Sequence, residues 1–431
     1  MTATAETSAR TSRVGPIARR EARLAYAMLL PTIAIVMAIV LLPLAANIWI
    51  SLKPVEIADL RPPALLANER LRGDLEAEGD EGRIQYRLRN SSRDIALAAT
   101  TLTDTLPDGL TPFNVDPRCT VDGRTLSCDL GAFGPGERGE VEIPVRAGAA
   151  YVADPANPRD SEALTTADAP NVLTNLHFTF DNIRAVFSSD EFVNVLVVTI
   201  VYTFFGTAGA IVLGVAAAQL LNRDFLGRPI LRGLYLFPYV APVIAMAFTW
   251  LVLFDPFSGS INAMLSRMEV VGEPINFFGT RAVPVSIFGL EFGFPLALAM
   301  VIAFEAWRYF PLSFLFILAR MQSIPTDMYE AADMDGATPF QKFFRLSLPQ
   351  IVGIIAVLFL LRFIWTFNKF DDIFLLTGGA AGTRTLTVDV YYQGFAIGNL
   401  GAGAAVAVVI FVMLLIFALL YFRALPKEEG L

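Results

Sequence analysis

The sequence predicts an all-α polytopic membrane protein of six transmembrane helices with an all-β insert outside the membrane. Three observations carry that reading. Hydrophobic residues make up 55% of the chain, 34 residues are phenylalanine and mean hydropathy is +0.54, all above the norm for a soluble domain. Six apolar runs, roughly 24–52, 192–221, 230–254, 293–320, 350–376 and 401–423, are long enough to cross a hydrocarbon core, which takes about 20 helical residues. Between the first two runs lies a stretch of different character, with alternating segments such as RIQYRLR and GEVEIPVRAG set between turn signals.

The N-terminal tail, 1–23, carries Arg10, Arg13, Arg19, Arg20 and Arg23, which by the positive-inside rule place it in the cytoplasm. The run at 24–52 is too long for a signal peptide and lacks a small-residue cleavage site, so it reads as an anchor. Six spans then return the C-terminal tail, 426–431, to the cytoplasm, where Arg423 and Lys427 agree. The connector after the second span, with Arg223, Arg228 and Arg232 against Asp224, agrees as well.

The segment 53–175 is thereby placed outside the membrane. Its strands form a small antiparallel domain at about 83–147. CTVDGRTLSC reads as a hairpin whose Asp122-Gly123 turn brings Cys119 and Cys128, the only two cysteines, into bonding range. The alternative is a pair of buried thiols. Acids outnumber bases across this insert, which argues against nucleic acid or anionic lipid as its partner. Residues 148–175, rich in Ala, Asp and Pro, read as a linker. Together TDTLPDGLTPF, the cysteine pair and DLGAFGPGERGEVEIPVRA resemble the Ig-like sandwich repeats of bacterial surface proteins, a resemblance that implies a fold and no chemistry.

Enzymatic chemistry finds little support. One histidine, His177, sits beside the returning linker, and there is no metal-ligand cluster, nucleophile elbow or phosphate loop. No catalytic residue, metal or cofactor is expected, and any ATP used must be hydrolysed by another polypeptide.

The core, 176–425, is interrupted at 325–349 by a polar segment. Asp327 and Glu330, three apart after Pro325, read as a capping-box start, Gly336 as a left-handed helix end, and Thr338-Pro339-Phe340-Gln341 as a second helix start. A helix, a sharp turn and a second helix follow, with small Ala331 and Ala332 open to close approach by a protein surface. EAADMDGATPFQKFFRLSLP is similar to the E-A-A, three residues, G, nine residues, I-x-L-P signature of binding-protein-dependent ABC importer permeases, with Leu346 in place of isoleucine. LARMQSIPTDMYEAADMDGA and FDDIFLLTGGAAGTRT further resemble the sugar-permease branch of maltose and α-glucoside type. The resemblance implies that Glu330, Ala331, Ala332, Gly336, Leu346, Leu348 and Pro349 couple to cytoplasmic ATPase subunits. It also implies a second permease subunit and a periplasmic sugar-binding protein as partners, in a membrane lipid setting, with a small-molecule sugar as cargo. In maltose-type permeases a large outer domain assists contact with the binding protein.

Ionisable residues at membrane depth usually face a cavity or a partner, which makes those in the spans candidates for the substrate path. Arg362, Trp365, Lys369 and Asp372 recur at helical spacing in the fifth span, with Asn368 beside them, an aromatic with hydrogen-bonding neighbours such as a sugar ring requires. Glu305 and Arg308, three apart, pair with each other, or else Glu305 pairs with Arg362 between helices while Lys369 and Asp372 mark the outer interface. Gly398, Gly401 and Gly403 are expected to allow close helix packing. Two other classes stand against the ABC permease: an ion-coupled secondary transporter, which has no use for the polar interruption, and a membrane-anchored adhesin, which does not need five further spans.

Overall fold

The computed structural model describes residues 16–93, 95–157, 163–287 and 290–424. The last tail, 426–431, and most of the first lie outside them. The chain divides into two compact units, one of residues 1–52 and 180–431, the other of residues 53–179.

The first unit begins with α1 (Pro16–Val36), which runs through a π turn into α2 (Leu42–Ser51). Together they give an apolar helix over Leu24–Ser51. After the second unit the chain returns in α4 (Asp181–Ser188) and α5 (Phe192–Leu221). The expected third span, 230–254, is not one helix. It consists of α6 (Arg228–Tyr235), α7 (Phe237–Val240) and α8 (Val243–Leu253), bent by 93° at Ala241-Pro242. Pro242 explains the break, because it donates no N–H and forces Ala241 into extended backbone.

Then come α9 (Ser260–Arg267), a hairpin of β9 (Val283–Ile287) and β10 (Leu290–Phe294), and the long α10 (Leu296–Gln322). Two short helices, α11 (Thr326–Met334) and α12 (Pro339–Lys342), precede α13 (Leu348–Phe367). The expected fifth span, 350–376, therefore stops at Phe367, and α14 (Asp371–Thr377) is a separate helix with Asp371 and Asp372 in its first turn, where acids favour the positive dipole end. The chain closes with α15 (Leu386–Tyr391) and α16 (Leu400–Ala424). Five helices among the described residues are long and apolar enough to cross a membrane, or six if the bent pair forms one span.

Small residues hold α5 on α10. A Cβ at Gly206 would lie 2.9 Å from the Glu305 Cγ, and one at Gly214 would lie 2.6 Å from the Ser313 Cβ and 2.8 Å from the Phe314 amide nitrogen. Close backbone approach of this kind is how helices associate where no water drives them together. Gly403 plays a similar part, since a Cβ there would lie 3.1 Å from the Gly394 Cα, whereas Gly398 has φ +86° and serves the turn before α16.

The second unit holds β1 (Leu65–Arg72), β2 (Glu81–Asn90), β3 (Leu97–Thr105), β4 (Leu110–Pro112), β5 (Cys119–Asp122), β6 (Thr125–Phe133), β7 (Arg138–Ala147), the short helix α3 (Ala149–Ala153) and β8 (Leu164–Asp168). The strands form two four-stranded antiparallel sheets, ordered β1-β2-β7-β4 and β5-β6-β3-β8. The strands extend beyond the expected 83–147 on both sides, since β1 and β8 add an edge to each sheet. Alternating residues from both sheets, among them Ile84, Tyr86 and Ile143 from one and Leu102, Leu126 and Cys128 from the other, share one core. Across it the Tyr86 hydroxyl donates to the Asp104 carboxylate at 2.6 Å, and burial together with that carboxylate pushes the tyrosine hydroxyl far above its ordinary range. Cys119 and Cys128 stand directly opposite in the β5–β6 ladder with their sulfurs joined.

Candidate functional site

Two places gather the polar residues singled out in the sequence. The first is the helix–turn–helix between α10 and α13. Its first helix starts without the expected capping box: Pro325 takes the N-cap position, and Asp327 lies inside the first turn, where its charge meets the helix dipole instead. Its end is a Schellman turn. The Gly336 N–H donates to the Asp333 carbonyl at 3.0 Å and the Ala337 N–H to the Ala332 carbonyl at 2.9 Å, with Gly336 at φ +74°. The second helix has a full capping box, in which the Gln341 N–H donates to the Thr338 hydroxyl at 3.3 Å and the Thr338 N–H to the Gln341 side chain at 2.7 Å.

The two short helices are braced against one another. Lys342 pairs with Asp333 at 2.6 Å, and the hydroxyls of Tyr329 and Ser347 meet at 2.9 Å. Glu330 and Ala331 are exposed, Ala332 half-buried, Leu346 lies in the π turn before α13, and Leu348 and Pro349 open α13 itself. Met334 and Phe340 are 89% and 76% exposed. The sequence reading passed them over, although large apolar residues in a short polar segment with no neighbours to bury them signal a contact surface.

The second place is at membrane depth. Glu305 of α10 and Arg362 of α13 form a buried ion pair at 2.5 Å. The Thr366 hydroxyl donates to the same carboxylate at 2.9 Å and the Tyr202 hydroxyl at 3.1 Å. Of the two pairings open in the sequence, the structure thus makes the interhelical one. Arg308 does not pair with Glu305. Its guanidinium donates to the carbonyls of Pro238 and Ala241 at 3.2 and 3.0 Å, the groups left open where the third span breaks.

Tyr309, four residues after Glu305 and not singled out in the sequence, presents its ring to Arg362 and Lys369 at 4.3 Å each. Lys369 also donates to the Tyr309 hydroxyl and lies 3.8 Å from Asp372, which is fully buried. Arg362 and Lys369 are thus committed to protein partners, whereas among the described residues neither oxygen of the buried Asp372 carboxylate accepts a hydrogen bond. The three do not share a face of α13, because that helix ends at Phe367. Trp365 is 48% exposed. Asn368, whose side chain donates to the Ile364 carbonyl, borders a cleft of about 540 Å³ with Phe370, Thr387 and Phe411.

Residues 210–427 match the family described as binding-protein-dependent transport system inner membrane component. The chain belongs to this family. It is a multi-pass inner-membrane permease component of an ABC importer. The trehalose/maltose transport system permease protein MalF of Thermococcus litoralis is 34% identical over 243 residues, covering 56% of this chain and 77% of that protein. The inner membrane ABC transporter permease protein YcjO of Escherichia coli is 34% identical over 250 residues, covering 57% and 80%. Among solved structures, a bacterial ABC transporter involved in the import of the acidic polysaccharide alginate superposes with TM-score 0.50 at 21% identity, over 59% of this chain and 86% of that one, a likeness of fold. The residues before 180, which include the two sheets, lie outside the matched family segment.

Proposed function

We propose that this permease carries a sugar, delivered by a periplasmic binding protein, across the inner membrane, and that 325–349 receives the drive from a separate cytoplasmic ATPase. The carrying observation is the built form of that segment: a Schellman turn, a capping box and a Lys342–Asp333 brace fix two helices at a set angle while Glu330, Ala331, Met334 and Phe340 stay open. A passive connector needs none of these devices. The trehalose/maltose relative favours a sugar as cargo. In this reading a second permease completes the pore, both termini are cytoplasmic and the two-sheet unit is an Ig-like sandwich in the periplasm. Trp365 and Asn368 are the substrate-path residues most open to a ligand, while Arg362, Lys369 and Asp372 hold the frame around them.

The test is reconstitution with the cognate ATPase and binding protein. Gly336 sits at a positive φ that costs a β-branched residue about 1–2 kcal/mol. Gly336→Val should leave the protein in the membrane and abolish transport, by loss of ATPase retention or by hydrolysis without sugar movement. Normal transport by this variant would return the segment to an ordinary connector.

A further inference from the structure

The net acidity of residues 53–179 hides a division of charge between its two sheets. Residues of β1, β2 and β7 that face inward, such as Leu65, Ile84 and Val141, fix by alternation which residues face out. The outward positions of β1 include Arg70 and Arg72, those of β2 include Arg83, Arg87 and Arg89, and those of β7 include Arg138 and Arg146. Seven arginines thus share one face with three glutamates, Glu81, Glu140 and Glu142. Arg83 and Arg146 are held by two of these, Glu142 and Glu81. Among the described residues no carboxylate lies within ion-pair distance of Arg70, Arg72, Arg87, Arg89 or Arg138. The other sheet is the opposite case. Its strands β3, β5, β6 and β8 contain no lysine or arginine, and Asp122, Asp129 and Asp168 stand outward among threonines and serines.

We propose that the arginine face of the β1-β2-β7 sheet docks on anionic phospholipid headgroups of the bilayer that holds the chain. Three arguments favour a charged plane over a compact ligand. The guanidinium groups are spread over three adjacent strands, about 5 Å apart and near 7 Å along each strand, a broad array in which only Arg70 and Arg72 border a cleft, of about 430 Å³, beside Pro155 and Asn157. The arginines suit phosphate, which accepts their forked donors in pairs. The acidic opposite sheet makes the unit a dipole across its thickness, which a negatively charged plane orients and a small ion does not. The bilayer is also within reach by connectivity: about a dozen residues separate Ser51 from β1, and a similar number separate β8 from α4, so each tether spans at most ~40 Å. The composition of the whole insert argued against anionic lipid because it averaged two faces that the fold separates.

The test uses the full chain in nanodiscs of phosphatidylcholine, with or without phosphatidylglycerol, each carrying a headgroup-attached quencher. Leu66→Cys on the arginine face and Thr105→Cys on the opposite sheet are labelled one at a time with a fluorophore, since Cys119 and Cys128 are joined. Phosphatidylglycerol should raise quenching of the Leu66→Cys label severalfold and leave the Thr105→Cys label unchanged, and added salt should reverse the effect. Each arginine at an anionic surface strengthens the association about fivefold, so Arg70→Gln with Arg72→Gln should weaken it roughly 25-fold. Quenching that is equal in both lipid compositions, or indifferent to the paired substitution, overturns the proposal. So does quenching that falls only when a soluble binding protein is added, which would assign the face to an acidic protein.

Discussion

Arg362→Met removes the counterion of Glu305 and leaves the carboxylate buried with two neutral donors, Thr366 and Tyr202. The pair is 0–1% exposed, so water does not substitute for the lost guanidinium. At a separation of 2.5 Å and an effective dielectric constant near 20, Coulomb attraction alone amounts to about 7 kcal/mol, an upper bound. Breaking one side of a buried pair costs about 3–5 kcal/mol in proteins, because the remaining charge keeps its desolvation penalty. We therefore expect Arg362→Met and Glu305→Met each to lower the folded-to-unfolded ratio by roughly 100-fold or more. The double variant, with two thioether side chains filling the space, should recover most of that loss. The assay is unfolding of the purified chain in mild detergent by stepwise sodium dodecyl sulfate, followed by tryptophan fluorescence. Single variants as stable as the parent, or a double variant worse than either single, would refute the idea that the two charges depend on one another.

Two further outcomes follow from particular contacts. Gly214→Val places atoms against the Ser313 Cβ and the Phe314 backbone, where 2.6 and 2.8 Å leave no room, so α5 and α10 must separate; expression in the membrane should fall sharply, as measured by fluorescence-detected size exclusion, while Gly233→Val, with nothing near its Cβ, should not change it. Reduction of Cys119–Cys128 opens a short hairpin loop and should lower the stability of the two-sheet unit by roughly 2–3 kcal/mol, read as earlier proteolysis between residues 53 and 179 in the full chain.

The sequence was most readable where one physical rule acts alone. Span length and apolarity located the long helices, because hydrocarbon thickness fixes them, and Thr338-Pro339-Phe340-Gln341 located a capping box, because that motif is local. It misled where two rules compete. Asp327 and Glu330 have capping-box spacing, yet Pro325 already supplies the N-cap geometry, so the box is not made. The run at 350–376 is apolar enough for one helix, but the acids at 371 and 372 favour a new helix start, and α13 ends before them. The third span is apolar but for Arg232, and Pro238 and Pro242 were its hints of the 93° bend. The two faces of the second unit were unreadable from composition, since opposite charge separates only once strand register is known.

The placement of the buried pair bears on how force would travel from the helix–turn–helix. α10 and α13 flank that segment and are tied near it by the Arg320 side chain, which donates to the Gln350 carbonyl at 3.1 Å. They are tied again by Glu305 and Arg362, about 23 Å further along α10 and about 18 Å along α13. Two helices joined at two levels resist sliding past one another, so in the proposed reading a tilt imposed on α11 would move them as one body. The motion would then reach the end of α13, where the helix breaks between Phe367 and Asp371 and where Asn368 borders its cleft. A helix continuing to 376 would carry Asn368 rigidly within its length; a helix that ends beside it leaves a hinge there, which in the proposed reading is where a cargo would be gripped and released.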